Sequence, residues 1–482
     1  MTTSPVPPPG CPAHDPTGGG VRRLYGPEAD ADPKGLYEKL RAEHGPVAPV
    51  LVHGDLPAWL VLGYRENLEV ARTPSRFARD PRTWRDMAQG KVPADHPLGP
   101  MVTWWPVVNF TDGPVHERLR GAVIDSLQGF DRRGIRRYVT RFTHHLVDGF
   151  STAGHADLTA DFAAQLPTLV MTQLIGAPEE AGPRLVRAAQ DMVNGTETAL
   201  ESDQYVTSVL QQLVEARTAN PGRDITTWLL EHEAGLGPEE VLAHVRVILI
   251  AAVQTTANLI ANTLEMVLTD RRFRANLSGG HMTLPDALEQ VLWDQPPINT
   301  VLGRWATGDT VLGGQQIKAG DMLLLGLAAG NVDPDPEVRP DLSAPVHGNR
   351  AHLAFSAGPH ECPGQDIGRA IADTGIEVLL TRLPDLELAE PLGDLQRNGS
   401  LMFQQLAALP VVFSPRPVRG PATAEPPASA PLPPTSTPLP TQSGPLPPTS
   451  APPVPEQAPA AAAPAGRPGR APWWRRLLAR LR

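Results

Sequence analysis

Apolar residues in the middle of the chain recur mainly at helical spacing, which predicts a protein built mostly from α-helices. LPTLVMTQLIGAP reads as a helix that ends at Gly176, and YVTSVLQQLVEARTA reads as another. The longest predicted helix covers about 238–269, and its middle is apolar on nearly every side. A helix without a polar face lies inside a core, so we expect it to run through the centre of the protein.

Strand-like segments are few and short. The clearest are PAWLVLG near 57–63 and VLGGQQIKAGDMLLLG near 311–326, and the second predicts a hairpin. No glycine-rich phosphate loop follows a strand. The expected fold class is therefore mainly α with small β-sheets, an α+β arrangement.

The two ends of the chain differ in composition from the predicted folded body at 21–415. Residues 1–20 are rich in Pro and Gly and predict a poorly ordered leader. Residues 416–470 are mostly Pro, Ala, Ser and Thr, and PLPPTS occurs there twice. Such a segment buries too little apolar surface to offset the entropy of ordering, so we expect an extended, disordered linker.

The last residues, 471–482, read APWWRRLLARLR and predict a short amphipathic helix. Its apolar face would hold Trp473, Trp474, Leu477, Leu478 and Leu481. Arginines on the opposite face predict binding to an anionic membrane surface or to an acidic protein partner. The alternative is a basic end without regular structure.

Composition limits the class of protein. Apolar residues make up 41% and charged residues 20% of the chain, enough for a large core. A net charge of -10 argues against nucleic acid as the main partner. Two cysteines, Cys11 and Cys362, cannot form a disulfide framework. With no secretory signal and no obvious span of about 20 apolar residues, we expect a cytoplasmic protein, peripheral at the inner membrane face if the last helix binds lipid.

Cys362 lies in FSAGPHECPG, 355–364, and three interpretations compete for it. It can be a buried structural thiol, a zinc ligand beside His360 and Glu361, or the single axial thiolate of a haem. Apolar residues at helical spacing after the loop predict a helix from near Gln365. The positive end of that helix would favour a thiolate. Gly358 and Gly364 have no Cβ and would let the backbone pass close to a flat ligand.

FSAGPHECPG resembles the haem-binding signature FxxGxxxCxG of the cytochrome P450 superfamily at every fixed position. By motif order the resemblance covers about 21–415, with further matches in DGPVHERLR, GRWATGDTVLGGQQIKAG and AGNVDPDP. It implies the cytochrome P450 fold around haem b, with Cys362 as the iron ligand. The other cofactor-binding residues that it implies are Phe355 and Gly364 in the loop and, at the propionates, His116, Arg120, Arg304 and His360.

The resemblance also implies a haem-thiolate monooxygenase that inserts one oxygen atom from O2 into an apolar small molecule. The chain has no flavin or iron-sulfur motif, so the implied electron donors are a ferredoxin and its reductase. The segment 83–110 resembles the variable loop that covers the substrate. Its bulky side chains predict an apolar lining, or equally a packed surface: Trp84, Met87, Met101, Trp104 and Trp105.

Two motifs depart from the family pattern. In the long helix, AAVQTT at 251–256 stands where [AG]Gx[DE]T[TS] is usual, so the predicted catalytic residues are Ala251, Gln254 and Thr255. An amide exchanges protons less readily than the carboxylic acid that Gln254 replaces, which predicts slow or poorly coupled turnover. The alternative is that the threonine hydroxyls only bond to the preceding helical turn.

The second departure is in ALEQVLWDQPP, 287–297, where the family has an ExxR ion pair. Alignment places Gln290 and Trp293 at the two charged positions and turns Glu289 about 100° away. The pair is then absent, as in an actinomycete subgroup with EQxLW. We expect Trp293 to stack on Arg339 or Arg350 instead.

These departures and the basic end of the chain motivate a second hypothesis. The protein would be a haem-binding signalling or scaffold component with little turnover, recruited to a membrane or partner by 471–482.

Overall fold

The computed structural model describes residues 21–92, 96, 98–194, 197–269, 283–335, 337–338, 349–389, 395–399 and 401–419. All of them belong to one compact unit; a second unit, 422–482, is outside the described residues. The predicted leader, the predicted helix at 471–482, most of the predicted linker and Arg339 also lie outside them. The last described residues still pack on the body, because the backbone N–H of Arg416 donates to Ser151 O at 2.8 Å.

Helices dominate the described residues, as the apolar periodicity predicts. In the first half they are α1 Pro27–Ala31, α2 Pro33–His44, α3 Tyr64–Arg72, α4 Arg85–Ala88, α5 Gly99–Val102, α6 Gly113–Gln128, α7 Arg132–Phe150 and α8 Leu166–Ile175. In the second half they are α9 Gly182–Asn194, α10 Ala199–Ala219, α11 Ile225–Glu231, α12 Pro238–Thr269, α13 Leu284–Asp294, α14 Leu327–Asn331 and α15 Gln365–Arg382.

The strands form small sheets at the edge of the helical body. They are β1 Arg22–Arg23, β2 Val47–Val52, β3 Leu56–Val61, β4 Phe77–Ala78, β5 His155–Asp157, β6 Thr300–Ala306, β7 Thr310–Leu312, β8 Gln315–Ile317, β9 Met322–Gly326, β10 Glu387–Leu388, β11 Arg397–Gly399, β12 Gln404–Leu406 and β13 Pro410–Val412. The largest sheet has the order β1-β2-β3-β9-β6-β4. The smaller sheets are β10-β13-β5, β11-β12 and β7-β8.

The predicted hairpin within 311–326 is shorter than expected. Only β7 and β8 form it, around Gly313 and Gly314, which both have positive φ (55° and 81°). A two-residue turn of this kind needs two residues that tolerate positive φ. The following strand, β9, instead joins the large sheet between β3 and β6.

The long helix α12 passes through the core, as predicted, in contact with α8, α10, α13 and α15. It is the one helix among the described residues that is long and apolar enough to cross a membrane, which the sequence had not suggested, yet 67% of its most apolar stretch is buried inside the protein. The exceptions lie in mid-helix, where Ile250 is 45% exposed, Ala251 is also exposed and Thr255 is partly exposed. These residues face open space beside the core.

Helix α13 begins at a capping box. The Thr283 side chain accepts a hydrogen bond from the Asp286 backbone, and the Asp286 carboxylate accepts one from the Thr283 backbone. This reciprocal cap satisfies backbone donors that a helix start leaves unpaired. It fixes the residue at which α13 begins.

Candidate active site around Cys362

The loop before α15 is closed by its own backbone. The N–H of Cys362 donates to Phe355 O at 2.9 Å. Gly358 has φ of 71°, and a Cβ there would lie 2.5 Å from Ala71 O. Gly358 is therefore needed for close packing on the end of α3. A Cβ on Gly364 would meet no atom within 4 Å, so this residue leaves the space beside Cys362 open.

Cys362 is a free, partly exposed thiol. Burial raises the pKa of its thiol, while a hydrogen bond from the Gly364 backbone and the charges of Arg120 and Arg369 act to lower that pKa. The Gly364 backbone thus donates a hydrogen bond to the sulfur. A thiol in this setting becomes a thiolate when it binds a metal cation.

A buried carboxylate holds both flanks of the cysteine loop. Glu289 of α13 is 4% exposed. Its carboxylate accepts hydrogen bonds from Arg369, at 2.7 Å from Nε and 3.2 Å from Nη2, and lies 3.0 Å from His352 Nε2. His352 precedes Cys362 in the chain and Arg369 follows it. One side chain of α13 therefore ties the start of α15 to the segment that leads into the loop.

The prediction that Glu289 turns away from the loop is wrong. Alignment assumed that position 290 faces the cysteine loop, but α13 buries Glu289 and leaves Gln290 partly exposed. The Gln290 amide instead donates to Asp294 Oδ2 at 2.5 Å. The inward face is one residue earlier than the family motif suggests, and Arg369 of α15 supplies the cation that the motif would place on α13.

Burial acts to raise the pKa of Glu289, but the hydrogen bonds from His352 and Arg369 outweigh it and lower that pKa to about 2. The carboxylate is therefore ionised at neutral pH. The Arg369 guanidinium also stacks over the Phe355 ring at 4.5 Å and donates to Gln365 Oε1 at 3.0 Å. The charge pair thus fixes the aromatic ring that begins the cysteine loop.

Trp293, one turn after Glu289 on the same face of α13, supports the same segment. Its indole N–H donates to Asn349 O at 2.9 Å, and its ring meets His352 edge to face at 6.0 Å. Arg350, one of the two predicted stacking partners, lies with Nε 3.6 Å from Glu289 Oε1. The other, Arg339, is outside the described residues.

A second group of side chains brings buried donors together near the loop. His116, on α6, and Arg304, on β6, are each 3% exposed. The Nε2 atom of His116 has no hydrogen-bond partner among the described residues, and the Arg304 guanidinium donates to Gly303 O at 3.3 Å. The rings of His116 and His360 lie 4.1 Å apart. Buried donors of this kind need acceptors, and the two carboxylates of a haem are acceptors that would fit here.

Charge within this group favours an incoming anion. Burial and the neighbouring guanidinium of Arg79 lower the pKa of Arg304. Burial lowers the pKa of His360 to about 3, so its ring is neutral at pH 7 and donates to Asp112 Oδ1 at 3.1 Å. Asp112 is the one described carboxylate that pairs with this group.

Arg120 contacts the backbone of the cysteine loop, which a side chain that bound only a propionate would not do. Its Nη2 donates to Glu361 O. Burial lowers the pKa of Arg120, and the charges of Cys362 and Glu361 act to raise it. Arg120 therefore positions the residue next to Cys362 as well as contributing positive charge to the site.

Sequence reasoning missed Arg79, which is 9% exposed. Strand β6 changes register between Val301 and Arg304. At this bulge Arg79 Nη1 donates to Leu302 O and Gly303 O, at 2.6 and 2.5 Å. Arg79 thus holds the bulge that presents Arg304. No motif marks this role, because the partners of Arg79 are backbone carbonyls distant in sequence.

In α12, the Thr255 hydroxyl donates to Ala251 O at 2.7 Å, the local bond that was the alternative interpretation. Gln254 uses its amide nitrogen twice, donating to Asn258 Oδ1 and to Gln405 Oε1, both at 2.9 Å. Its side chain is therefore held by neighbouring amides.

The tryptophans of 83–110 do not share one lining. Trp84 is fully buried against Trp305, with ring centroids 6.5 Å apart. Met87 packs on the same part of the core. The Arg82 guanidinium covers Trp104 at 4.2 Å, and Trp105 is 42% exposed. The side chain of Met101 is outside the described part of the chain.

Replacing Glu289 with Ala is expected to release the cysteine loop, because Arg369 would remain as a buried charge without its partner. Breaking such a pair costs about 3–5 kcal/mol. The measurement is the rate of haem transfer to apomyoglobin together with the urea midpoint. Gln290→Ala, one residue away, is the matched control and should retain haem nearly as well as wild type. Equal haem loss in both variants would contradict the assignment.

The low pKa of Glu289 predicts that the free energy of unfolding depends on pH. The pKa of Glu289 is about 2 in the folded protein against an ordinary value of 4.5. Its contribution to stability is then complete above about pH 4.5 and is lost as the pH falls toward 2, a change of about 3 kcal/mol. Urea unfolding of wild type and Glu289→Gln should show a constant gap from pH 7 to 5 that narrows below pH 4.5. A gap that is independent of pH would refute this.

Individual known proteins that resemble this chain support the assignment of a haem site, although no family model matches the chain. The cytochrome P450 monooxygenase PikC of Streptomyces venezuelae is 30% identical over 394 residues, 80% of this chain and 92% of PikC. CYP107DY1 of Priestia megaterium is 28% identical over 403 residues, 80% of this chain and 97% of that protein.

Solved structures give the same result. CYP154C4 from Streptomyces sp. ATCC 11861 superposes with a TM-score of 0.74 at 27% identity, covering 82% of this chain and 98% of that one. The fold, the Cys362 thiol and the buried donors all fit haem b. The chain belongs to the cytochrome P450 family of haem-dependent monooxygenases.

Proposed function

We propose that this monooxygenase inserts one oxygen atom from O2 into an apolar small molecule, with electrons from a ferredoxin and its reductase. The observation that carries the proposal is the pairing of one thiol, Cys362, with buried donors of His116 and Arg304 that no described carboxylate satisfies. Residues of the folded body, proposed to be 21–415, supply every part of this site.

In this proposal Cys362 holds the iron, while His116 and Arg304 bind the propionates, with Arg120 beside them. The sequence also predicted His360 as a propionate contact, but its one N–H is donated to Asp112, so in this proposal its ring packs against His116 and positions it. When bound, the haem supplies the redox chemistry that activates dioxygen. Glu289 keeps the loop in position through His352 and Arg369. These residues bind and orient the cofactor.

Thr255 and Gln254 determine how protons and water are handled. The Thr255 hydroxyl hydrogen is donated to Ala251 O, and both amide hydrogens of Gln254 are donated to Asn258 and Gln405. Both side chains therefore keep only acceptor lone pairs for the open space beside α12. They can orient a water molecule but do not themselves supply a proton, which supports slow and poorly coupled turnover.

The substrate proposal is an apolar small molecule. Ile250 and Ala251 present apolar surface on the open side of α12. Relatives include a vitamin D(3) 25-hydroxylase of Pseudonocardia autotrophica and a mycinamicin IV hydroxylase/epoxidase of Micromonospora griseorubida. A solved myxobacterial relative, CYP267B1, is in complex with myristic acid. The names of these relatives point to different ligands, so they do not single out one substrate for this chain.

An exposed basic helix supports the proposal that the electron donor is an acidic protein such as a ferredoxin. Helix α7 packs against α15, the helix that follows Cys362. Its exposed arginines form a row along the surface: Arg132, Arg133, Arg136, Arg137 and Arg141. Such a row would steer an acidic partner toward the thiolate side of the protein.

The proposal predicts a strongly red-shifted Soret band for the reduced protein with carbon monoxide, and oxygenated product from an apolar panel with NAD(P)H, ferredoxin and reductase. Cys362→Ser should lose the red shift.

Reversing charge at Arg133 and Arg137 should raise the KM for ferredoxin about tenfold while dithionite reduction is unchanged. A normal Soret shift with no product from any substrate would instead favour the haem-binding scaffold.

We also propose that 471–482 recruits the enzyme to an anionic membrane surface through the linker 416–470. The support is compositional: two tryptophans and three leucines on one helical face, with arginines opposite. Deleting 471–482 should abolish co-sedimentation with vesicles containing phosphatidylglycerol and leave the carbon monoxide spectrum unchanged. Equal sedimentation of the full and shortened chains would refute the membrane proposal.

A further inference from the structure

A stripe of polar residues runs along one side of the otherwise apolar helix α12. Its members are spaced by four, four and three residues, which places them on one helical face: Gln254, Asn258, Asn262 and Glu265. Asn258 and Asn262 are each 3% exposed. Buried polar side chains at such spacing need partners, and the structure supplies a partner for each one.

Half of the partners come from the hairpin β11–β12. Gln405 of β12 accepts from the Gln254 amide at 2.9 Å. Arg397 of β11 donates to Asn262 Oδ1 at 3.3 Å and also to the Glu265 carboxylate. Arg397 further donates to Gln404 O at 3.1 Å within the hairpin. The hairpin is thus joined to α12 at both of its strands.

The other partners come from the segment that links α13 to β6. Asn258 Nδ2 donates to Pro297 O at 3.2 Å, and Asn262 Nδ2 donates to Gln295 O at 3.0 Å. Arg397 Nη2 reaches Gln295 Oε1 at 3.2 Å. The stripe therefore joins three parts of the chain along one buried line, which we term the polar seam.

The partners in the polar seam determine which hydrogen-bonding groups face the side chain at position 254. Because the Asn258 amide nitrogen is used on Pro297 O, its oxygen points toward Gln254. Gln405 also presents its oxygen. In this arrangement position 254 donates two hydrogens, which an amide can do and a carboxylate cannot. A glutamate at 254 would place its charge against the Asn258 oxygen, whose direction the bond to Pro297 O sets.

We propose that Gln254 is a positioning residue that fixes the β11–β12 hairpin against α12, directly beside Thr255, as a rigid wall of the substrate space. The inference deepens the proposed function, since that wall would select ligands by size. It also accounts for the lost acid: Gln254 donates twice in the seam, whereas an ionised carboxylate there would face the Asn258 oxygen without a hydrogen to donate.

The test uses the haem-loaded full chain and hydrogen exchange of peptides covering 397–406. Gln254→Ala and Gln405→Ala should each speed exchange there about tenfold. The double variant should add little beyond the larger single effect, because both remove the same contact. Gln404→Ala is the matched control, since neighbouring residues of a strand point to opposite faces, and it should exchange like wild type. Wild-type exchange in Gln254→Ala, or full additivity, would overturn the proposal.

Ligand size gives a second readout that does not require turnover. Spectral titration with clotrimazole and with imidazole should show the Kd for clotrimazole falling about tenfold in Gln254→Ala, while the Kd for imidazole changes less than about twofold. Equal changes for both ligands would count against a wall that selects by size.

Gln254→Glu should loosen the hairpin without improving coupling of electrons to product. Improved coupling with unchanged exchange would instead make position 254 a proton donor site. A protein that oxygenates no substrate would still show the exchange result, so failure of the proposed function is distinguishable.

Discussion

The structure around Cys362 depends on one buried carboxylate. Glu289 accepts from Arg369 after the cysteine and lies within hydrogen-bond distance of His352 before it, so a single group on α13 sets the distance between the two ends of the loop. Replacing both members of a buried ion pair can be neutral when the new partners satisfy one another. In this chain the charge pair has not disappeared; its cation lies on α15, and Trp293 fills part of the space beside it.

Much of the fold follows from the sequence because it is written in local patterns. The helical spacing of apolar residues indicates α12, and the glycine and proline around Cys362 indicate a loop before a helix. The facing direction of α13 could not be obtained in this way. Alignment to a motif assigned the inward position to Gln290, and only packing against α12 and α15 decides that Glu289 faces inward. A one-residue error in register on a helix moves a side chain by about 100°.

The polar seam and Arg79 were beyond prediction for a related reason. Their partners are carbonyls and amides that become neighbours only in the folded chain, such as Pro297 O for Asn258 and Leu302 O for Arg79. The spacing of Asn258, Asn262 and Glu265 in an apolar helix was nevertheless a visible signal. Polar residues repeating every three or four positions inside a buried helix indicate a contact line with other parts of the chain.

The buried guanidiniums of Arg79 and Arg304 lie close enough to lower the pKa of Arg304, with one neighbouring carboxylate to balance them. A polypeptide that folds before receiving its cofactor therefore carries an electrostatic deficit at its centre, because like charges in a low-dielectric interior repel strongly. A haem bound at these residues would act as a counter-ion as well as a reagent and, by binding only the folded state, would raise the free energy of unfolding. The stability of this chain would then follow the concentration of haem available to it.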